Sequence, residues 1–473
     1  MTTDRKKEVA AGVGKHTEAG FMKRKVKRIH FVGIGGIGMS AIARYFKSAG
    51  YSVSGYDKTP SALTARLEKE GIAVHYEDDI SAIPKDKENT FVIYTPAVPA
   101  DMNELKYVKE QGYALFKRSQ ALGEIARGQK CLAVAGTHGK TTTSTLLAHI
   151  LTESGEGCNA FLGGISRNYD SNLLMSSNQV LVAEADEFDR SFLQLYPDIA
   201  VITSADADHL DIYSDHSHVR EAFSQFASQV KSDGFLVLKK GVKISLKGVS
   251  AKILSYSYDS PADFYASDIV PLDGGFYDFT LNTPEGKIEH CTLGIRGWVN
   301  VENAVAASAI ALIHGTPPEK LKKALASFKG VGRRFDIRLN TPQCAYIDDY
   351  AHHPNELRHA ISSIRGIFKG RRICGIFQPH LYSRTRDFAE EFADALGGLD
   401  ELILLPIYPA RELPIEGVTS KIIFDKVRLE NKILINKEEL METLRRRNFE
   451  CLITFGAGDI DRFVLPIEEE LKA

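Results

Sequence analysis

The sequence lacks the features that mark membrane, secreted and disulfide-rich proteins. It has no apolar run of about 18 residues, so no membrane-spanning helix is expected. It also has no apolar block near the N-terminus of the kind that predicts a secretory signal. Neither a CxxC motif nor a dense disulfide framework is predicted, because the cysteines are few and far apart; they are Cys131, Cys158, Cys291, Cys344, Cys374 and Cys451. These absences favour a reducing cytoplasm.

The chain also lacks an excess of charge of either sign. Its 473 residues include 59 basic and 61 acidic ones, a net charge of -2, which argues against a general nucleic-acid binder. The first 28 residues are the exception, with nine basic and three acidic side chains and a net charge of +6. Because this segment has few large apolar groups to bury, we expect a basic flexible tail over residues 1–26 rather than an anchor for anionic surfaces.

Strand-like apolar runs alternate with helix-like stretches along most of the remaining chain. This alternation predicts an α/β protein with parallel sheets, and a length of 473 residues predicts about three domains. The predicted strands include residues 29–32, 51–56, 91–94, 131–135, 180–183, 199–203, 235–238, 345–348, 373–377, 402–405, 433–435 and 451–455.

A glycine-rich turn, GIGGIG at residues 33–38, separates the first strand from the first helix. Glycines allow the backbone to approach a diphosphate, whose charge is favoured at the N-terminus of a helix. Asp57 ends the next strand, 19 residues after Gly38, where a carboxylate can bind ribose hydroxyl groups. The turn predicts nucleotide diphosphate binding, but by itself it does not distinguish NAD from another nucleotide.

A second glycine loop, AGTHGKTT at residues 135–142, also lies between a strand and a helix. Its backbone amides can cradle phosphates, Lys140 can neutralise them, and the Thr141 hydroxyl can bind Mg²⁺. The full P-loop motif has glycine six residues before the lysine, where this chain has Val134, so the loop is a shortened form.

Polar clusters follow several later strands, at the sheet edge where open α/β sheets bind ligands. Carboxylates at 184–187 follow one strand, and three carboxylates surround His209 after another. Two further clusters are DDYAHHP at 348–354 and QPH at 378–380, the latter followed by Arg384. Each is a candidate phosphate, metal or substrate site, although a solvated polar loop is the alternative for each cluster alone.

Together these motifs resemble the Mur ligase family over nearly the whole chain from about Lys27. The residues that carry the resemblance are GIGGIGMS at 33–40, GTHGKTT at 136–142, EADE at 184–187, DHLD at 208–211, GWVNVEN at 297–303, GRRFD at 332–336, DDYAHHPNE at 348–356 and QPHLYSRTRD at 378–387. The resemblance implies a Rossmann-like UDP-sugar-binding domain (27–122), a central P-loop ATPase-like domain (123–336) and a C-terminal Rossmann-like ligase domain (337–473).

The resemblance also implies residue roles. The UDP-sugar would contact Gly35, Gly36, Gly38, Met39, Ser40 and Asp57. ATP would contact Gly136, Thr137, His138, Gly139, Lys140, Thr141, Thr142, Asn303, Arg333 and Asp349. Mg²⁺ would lie among Thr141, Glu184 and His209. The muramyl and amino-acid end would lie near His352, His380 and Arg384, and the catalytic groups would be Lys140, Glu184, His209 and His352.

The activity that the resemblance implies is ATP-dependent ligation of L-alanine to UDP-N-acetylmuramate through an acyl phosphate, in peptidoglycan precursor synthesis. We expect a cytoplasmic enzyme, monomeric or weakly dimeric, without nucleic-acid partners or stable membrane insertion. The alternatives are a recycling ligase that adds a peptide to the same nucleotide sugar, an NAD-dependent oxidoreductase, and an ATP-gated switch protein. Departures from the usual family motifs are Val299, the run Thr203-Ser204-Ala205-Asp206, and Leu381.

Overall fold

The computed structural model describes residues 26–206, 216–410 and 412–472. They divide into two compact units. The first holds most of the chain up to Lys329, and the second holds the chain from Gly330 onward together with Pro271–Tyr277 and Ile295–Val299.

The first sheet of the first unit is five-stranded and parallel, in the order β3-β2-β1-β4-β5. Its strands are β1 (Arg28–Val32), β2 (Ser52–Tyr56), β3 (Ala73–His75), β4 (Thr90–Tyr94) and β5 (Ala114–Lys117). Its helices are α1 (Ile37–Ser48), α2 (Ala62–Lys69), α3 (Asn103–Glu110) and α4 (Arg118–Arg127). The chain leaves the central strand β1 on one side and returns on the other, so the glycine turn after β1 lies at the point where the strand order reverses.

The second sheet is ten-stranded, in the order β15-β14-β13-β12-β11-β10-β6-β9-β7-β8. Its strands are β6 (Lys130–Ala135), β7 (Asn159–Ser166), β8 (Ser171–Leu174), β9 (Val180–Ala185), β10 (Ile199–Ile202), β11 (Phe235–Lys239), β12 (Lys252–Ser257), β13 (Phe264–Pro271), β14 (Tyr277–Thr283) and β15 (Gly286–Leu293). Its helices are α5 (Lys140–Glu153), α6 (His216–Ser228), α7 (Trp298–His314) and α8 (Pro318–Ser327). The parallel strands β9 and β10 flank β6, so their carboxyl ends surround the loop that follows it.

The sheet of the second unit is six-stranded, in the order β16-β17-β21-β18-β19-β20, and only the edge strand β16 is antiparallel to its neighbour. Its strands are β16 (Asp336–Asn340), β17 (Ala345–Asp349), β18 (Ile373–Phe377), β19 (Glu401–Leu404), β20 (Lys432–Leu434) and β21 (Cys451–Phe455). Its helices are α9 (Pro354–Ile367), α10 (Tyr382–Asp387), α11 (Ala389–Leu396), α12 (Lys421–Phe424), α13 (Leu440–Arg445) and α14 (Val464–Lys472).

The strands that carry the sites are apolar on both faces because helices cover both sides of parallel sheets. In β6 every residue after Lys130 is buried, and β18 and β21 are buried throughout. One hydrophobic core joins the first two sheets, and the rings of Tyr45 on α1 and Phe161 on β7 lie 5.4 Å apart within it. This layered α/β architecture with three sheets confirms the predicted fold class, whereas the exact domain boundaries stay a prediction.

Within the described ranges, none of the helices reaches the length and apolarity that a membrane span requires.

Candidate active site

The loop between β6 and α5 has the backbone conformation of a phosphate cradle. Gly136 and Gly139 have φ angles of +138° and +79°, a region that favours glycine. A Cβ atom at Gly136 would collide with the Thr203 hydroxyl, and one at Gly139 would lie 2.6 Å from the Asn303 amide oxygen. Because α5 begins at Lys140, the amides of its first turn have no carbonyl partner within the helix and are donors for an anion.

The ammonium group of Lys140 is held inside this loop. It donates to the carbonyl oxygen of Gly136 at 2.6 Å and lies 2.8 Å from a carboxylate oxygen of Glu187. The Lys140 side chain is 14% exposed and that of Glu187 only 1%. Burial alone would lower the pKa of Lys140, but the carboxylates of Glu187, Asp186 and Glu184 outweigh it and raise the pKa. These carboxylates therefore favour the charged form of Lys140 in the loop.

A second group of oxygen atoms lies beside the lysine. The Thr141 hydroxyl donates to Glu184 Oε1 at 2.9 Å, and the backbone amide of Gly163 donates to Glu184 Oε2 at 3.1 Å. The Ser144 hydroxyl also donates to Oε2, at 3.4 Å. Hydroxyl and carboxylate oxygens are the hard ligands that Mg²⁺ prefers. The structure thus brings together Thr141 and Glu184 of the predicted metal site, whereas His209 lies outside the described residues.

The segment after β10 fixes the phosphate loop from the other side. Ser204 Oγ lies 2.8 Å from the Thr137 hydroxyl and accepts the backbone N–H of His138 at 2.9 Å. The Thr203 hydroxyl donates to the carbonyl oxygen of His138 at 2.5 Å. The Asp206 backbone N–H donates to the Thr137 hydroxyl at 3.3 Å. Of the departures from the family motif in this run, Ser204 therefore holds the loop through its side chain, whereas Asp206 does so only through its backbone N–H.

Asn303 lies against the phosphate loop, on α7. The Thr143 hydroxyl donates to its amide oxygen at 3.4 Å, and its own amide donates to Asn300 Oδ1 at 3.1 Å. Asn303 is 8% exposed. The structure thus places Asn303, a predicted ATP-binding residue, beside Gly139. Asn300, which follows the motif departure at Val299, holds Asn303 in place by this hydrogen bond.

The glycine turn after β1 is held by Asp57, at the end of β2. Asp57 Oδ2 accepts the backbone N–H of Gly35 at 2.7 Å, and Oδ1 accepts that of Thr59 at 3.1 Å. A Cβ atom at Gly35 would lie 2.7 Å from a methyl carbon of Thr64, so the turn requires glycine there. Asp57 therefore shapes the predicted diphosphate site through the backbone.

The other residues predicted to contact the UDP-sugar lie at the start of α1 and offer backbone rather than side-chain groups. The side chains of Met39 and Ser40 are buried, 1% and 0% exposed, and Ser40 Oγ accepts from Asn172 at 2.9 Å. What α1 offers a diphosphate is therefore its backbone: Gly36 is the N-cap, and the amides of Gly38 and Met39 lie in the first turn.

Arg118, at the start of α4, was missed by the sequence analysis. A Cβ atom at Gly38 would lie 2.7 Å from Arg118 Nη1, so the guanidinium group covers the glycine turn. Arg118 Nη2 also donates to Asp186 Oδ2 at 2.9 Å, and the adjacent Lys117 donates to Asp189 at 2.8 Å. Arg118 thus connects the glycine turn with the acidic motif beside the phosphate loop. Its position directly after β5, at the carboxyl edge of the first sheet, was the available signal.

In the second unit, polar residues gather at the carboxyl end of β17. Arg333 Nε donates to Asp348 Oδ2 at 3.1 Å, and Tyr350 donates its backbone N–H to the carbonyl oxygen of Arg333 at 2.7 Å. Asp349 accepts the backbone N–H groups of Phe335 and Ala351, each at 2.7 Å. Burial raises the pKa of Asp349 to about 7, although Arg334 and these two amides oppose the shift. The structure therefore brings the predicted residues Arg333 and Asp349 into one cluster.

His352 and His380 also meet at this edge of the sheet. Their ring centroids are 5.7 Å apart, and His380 stacks on Tyr408 at 5.8 Å. His352 Nδ1 lies 2.9 Å from the carbonyl oxygen of Tyr350. Because a carbonyl oxygen only accepts, neutral His352 carries its proton on Nδ1 and its lone pair on Nε2.

Arg384 follows on α10 and is 6% exposed. The neighbouring departure from the family motif, Leu381, is 2% exposed and donates its backbone N–H to the carbonyl oxygen of Tyr408 at 3.0 Å. An arginine side chain at position 381 would not fit this buried environment without rearrangement.

Comparisons with known proteins agree with this geometry. Three family models match in succession: "Mur ligase family, catalytic domain" over residues 28–130, "Mur ligase middle domain" over 134–311, and "Mur ligase, glutamate ligase domain" over 333–458.

Individual relatives match over almost their full lengths. The UDP-N-acetylmuramate–L-alanine ligase of Porphyromonas gingivalis W83 is 52% identical over 94% of this chain and 99% of its own length. The enzyme of the same name from Flavobacterium psychrophilum is 49% identical over 94% of this chain and 98% of its own. The crystal structure of UDP-N-acetylmuramate–alanine ligase from Thermotoga maritima has a TM-score of 0.80 and 28% identity, covering 93% of this chain and 99% of that one. The resemblance inferred from the motifs is confirmed: the chain belongs to the Mur ligase family, whose members are ATP-dependent ligases.

Proposed function

We propose that this protein joins L-alanine to the carboxylate of UDP-N-acetylmuramate, with cleavage of ATP to ADP and phosphate. The observation that carries the proposal is that two phosphate-binding features lie together. Lys140 lies inside the phosphate loop, and Arg118 connects the glycine turn after β1 with Asp186, beside that loop. The names of the relatives that are about half identical over nearly the whole chain supply the substrates. We therefore assign the glycine turn to a UDP-sugar, and this assignment replaces the alternative hypothesis of an NAD-dependent oxidoreductase.

The chemistry follows from the weak electrophilicity of a carboxylate. Transfer of the terminal phosphoryl group of ATP to the muramyl carboxylate forms an acyl phosphate, which an amine can attack. The amides of the 136–142 loop and of the first turn of α5 bind the phosphates, and Lys140 spreads the charge of the transferring group. The chain offers no nucleophile elbow of the G-x-S-x-G type, so activation falls on the substrate.

Mg²⁺ is part of the proposal, and the donor set fits it. The Thr141 hydroxyl and the Glu184 carboxylate would hold the ion, with His209 as a further predicted ligand. When bound, Mg²⁺ supplies positive charge to the phosphates that undergo transfer.

The attacking amine of L-alanine must lose a proton. Neutral His352 carries its lone pair on Nε2 and can accept a proton there. His209 is the other predicted base. Asn303, Arg333 and Asp349 are proposed to bind ATP, and His380 and Arg384 to bind the muramyl or alanine carboxylate. The cytoplasmic location and the monomeric or weakly dimeric state stay predictions.

Isotope transfer tests the intermediate. The muramyl carboxylate is labelled with heavy oxygen, and the enzyme is turned over with ATP, Mg²⁺ and L-alanine. We expect one labelled oxygen in the released phosphate, because the acyl phosphate breaks at its carbon–oxygen bond. Unlabelled phosphate together with labelled amide product would disprove phosphorylation of the carboxylate.

A parallel assay tests the amine. ADP release is measured with L-alanine, with the tripeptide that a recycling ligase would add, and without any amine. We expect release that depends on L-alanine. Preference for the tripeptide would establish the recycling ligase, and equal release without an amine would favour an ATP-driven switch.

A further inference from the structure

A cluster of two histidines and a glutamate lies in the first sheet. It includes none of the residues proposed to bind nucleotides, although the backbone N–H of Asp57 donates to the carbonyl oxygen of His75 at 3.0 Å. His30 is on β1, His75 ends β3, and Glu104 is in the first turn of α3. His30 Nε2 lies 3.3 Å from Glu104 Oε2, and His75 Nε2 lies 2.7 Å from Glu104 Oε1. One ligand atom from each of the three residues lies within 4.8 Å of the other two. We propose that His30, His75 and Glu104 form a binding site for a divalent transition metal of the zinc class, independent of the proposed ligase reaction.

The identity and spacing of the ligands support a metal. Two imidazoles and one carboxylate form a donor set that zinc uses in proteins, with bonds of about 2.1 Å. Such bonds place tetrahedral ligand atoms about 3.4 Å apart. The Nε2 atoms of His30 and His75 lie 3.3 and 2.7 Å from different oxygens of Glu104, and the three ligand atoms lie within 4.8 Å of one another, so the side chains would have to move closer around a shared ion. The Nε2 atoms of both histidines are directed toward the same carboxylate.

The burial of the cluster also favours a bound cation. Glu104 and His30 have side chains that are 0% exposed. A buried carboxylate needs hydrogen-bond donors or a cation as compensation. A divalent cation between the three side chains would supply such compensation.

The surrounding groups act as the outer shell of a metal site does. Ser54 Oγ lies 2.9 Å from His30 Nδ1, and the backbone N–H of Asp79 donates to Glu104 Oε1 at 3.2 Å. Partners of this kind orient metal ligands. The side chain of His75 is 24% exposed, which opens the cluster to solvent and gives an ion an entry path. A bound ion would tie β1, β3 and α3 together.

Cobalt is the spectroscopic probe for this site. The full-length protein is stripped with a chelator, and Co²⁺ is added in the presence of excess Mg²⁺, which occupies oxygen-rich sites without competing for imidazoles. We expect one equivalent of Co²⁺ to produce visible absorption typical of nitrogen and oxygen ligation, and one equivalent of Zn²⁺ to abolish it.

Variants assign the signal to the cluster. His75→Gln changes the partly exposed ligand on a short edge strand and keeps a hydrogen-bond donor, so the fold should persist. Glu104→Gln is the second variant. We expect each to weaken Zn²⁺ binding by at least about tenfold. The matched control is His290→Gln, which alters an exposed histidine 3.4 Å from Asp278 and should leave the signal unchanged. Absence of stoichiometric binding to the wild type, or a wild-type spectrum in His75→Gln, would show that the cluster is only hydrogen-bonded.

Discussion

Replacement of Lys140 should affect stability and catalysis by two separable routes. The lysine is both the proposed phosphate cation and the partner of the buried Glu187. Lys140→Met keeps most of the side-chain volume and removes the charge. The variant thus loses stabilisation of the transferring phosphoryl group and also leaves Glu187 without its cation.

The structure allows both effects to be estimated. Opposite charges 2.8 Å apart attract by about 6 kcal/mol at an effective dielectric constant of about 20, and desolvation of the two ions offsets much of this attraction. Breaking a buried pair by removal of one partner costs about 3–5 kcal/mol, so the thermal transition of Lys140→Met should fall clearly. Loss of one preorganised electrostatic group should reduce turnover by about 10²–10³-fold, or roughly 2.7–4 kcal/mol.

A double variant separates the two routes. Lys140→Met combined with Glu187→Gln removes both charges of the buried pair, so most of the lost thermal stability should return. Turnover should remain low, because the cation is still absent. The measurements are thermal unfolding without ligand and ADP release under saturating substrates. Near-normal turnover in Lys140→Met, or recovery of turnover in the double variant, would refute the assigned role of Lys140.

Three further predictions concern other parts of the chain. Arg384→Lys should lower kcat and raise KM for the substrate, because lysine cannot reproduce bidentate carboxylate binding. Arg386→Lys changes an exposed arginine and is the control that should keep normal kinetics. Equal kinetics in the two variants would show that Arg384 does not bind the carboxylate. Burial raises the pKa of Asp349 from 3.8 to about 7, so between these pH values the folded protein keeps Asp349 protonated while the unfolded chain does not. The contribution of Asp349 to the free energy of unfolding therefore falls as the pH rises from about 4 to 7. The thermal stability of the wild type relative to Asp349→Asn should therefore fall across that pH range and level off above it. A difference that does not vary with pH would contradict the raised pKa. Deletion of residues 1–20 should leave turnover and thermal stability nearly unchanged, and a large loss of stability would show that the tail docks on the folded protein.

The hydrophobic pattern predicted the strands that are buried on both faces. Residues 131–135 and 373–377 are continuous apolar runs, and the run 451–455 is interrupted only by Thr454. Each is a buried strand, as expected where helices cover both sides of a sheet. The strands β3, β5, β7, β8 and β12 to β16 were not predicted. In β13 and β15 exposed and buried residues are mixed, so their sequences lack the apolar run that marked the others.

The residues of the phosphate loop were predictable because glycine conformation and strand–loop–helix order are local properties. Their partners were not, because each partner depends on which strands become neighbours. Ser204 supports the loop only because β10 lies beside β6, and Arg118 reaches Asp186 only because the first two sheets pack together. The His30–His75–Glu104 cluster combines residues up to 74 positions apart, a spacing that matches no sequence motif.

The acidic motif at the end of β9 gives a physical reason why ATP should need a divalent cation here. Its three carboxylates have three different partners: Glu184 accepts from Thr141, Asp186 from Arg118, and Glu187 from Lys140. Two of the three thus already use the cations nearest the phosphate loop. A polyphosphate entering the loop competes with Glu187 for Lys140 and meets the negative charge of Glu184, whose hydrogen-bond donors among the described residues are neutral. A divalent cation beside Glu184 removes that repulsion and leaves Lys140 available to the phosphates, which is the charge argument for the proposed Mg²⁺.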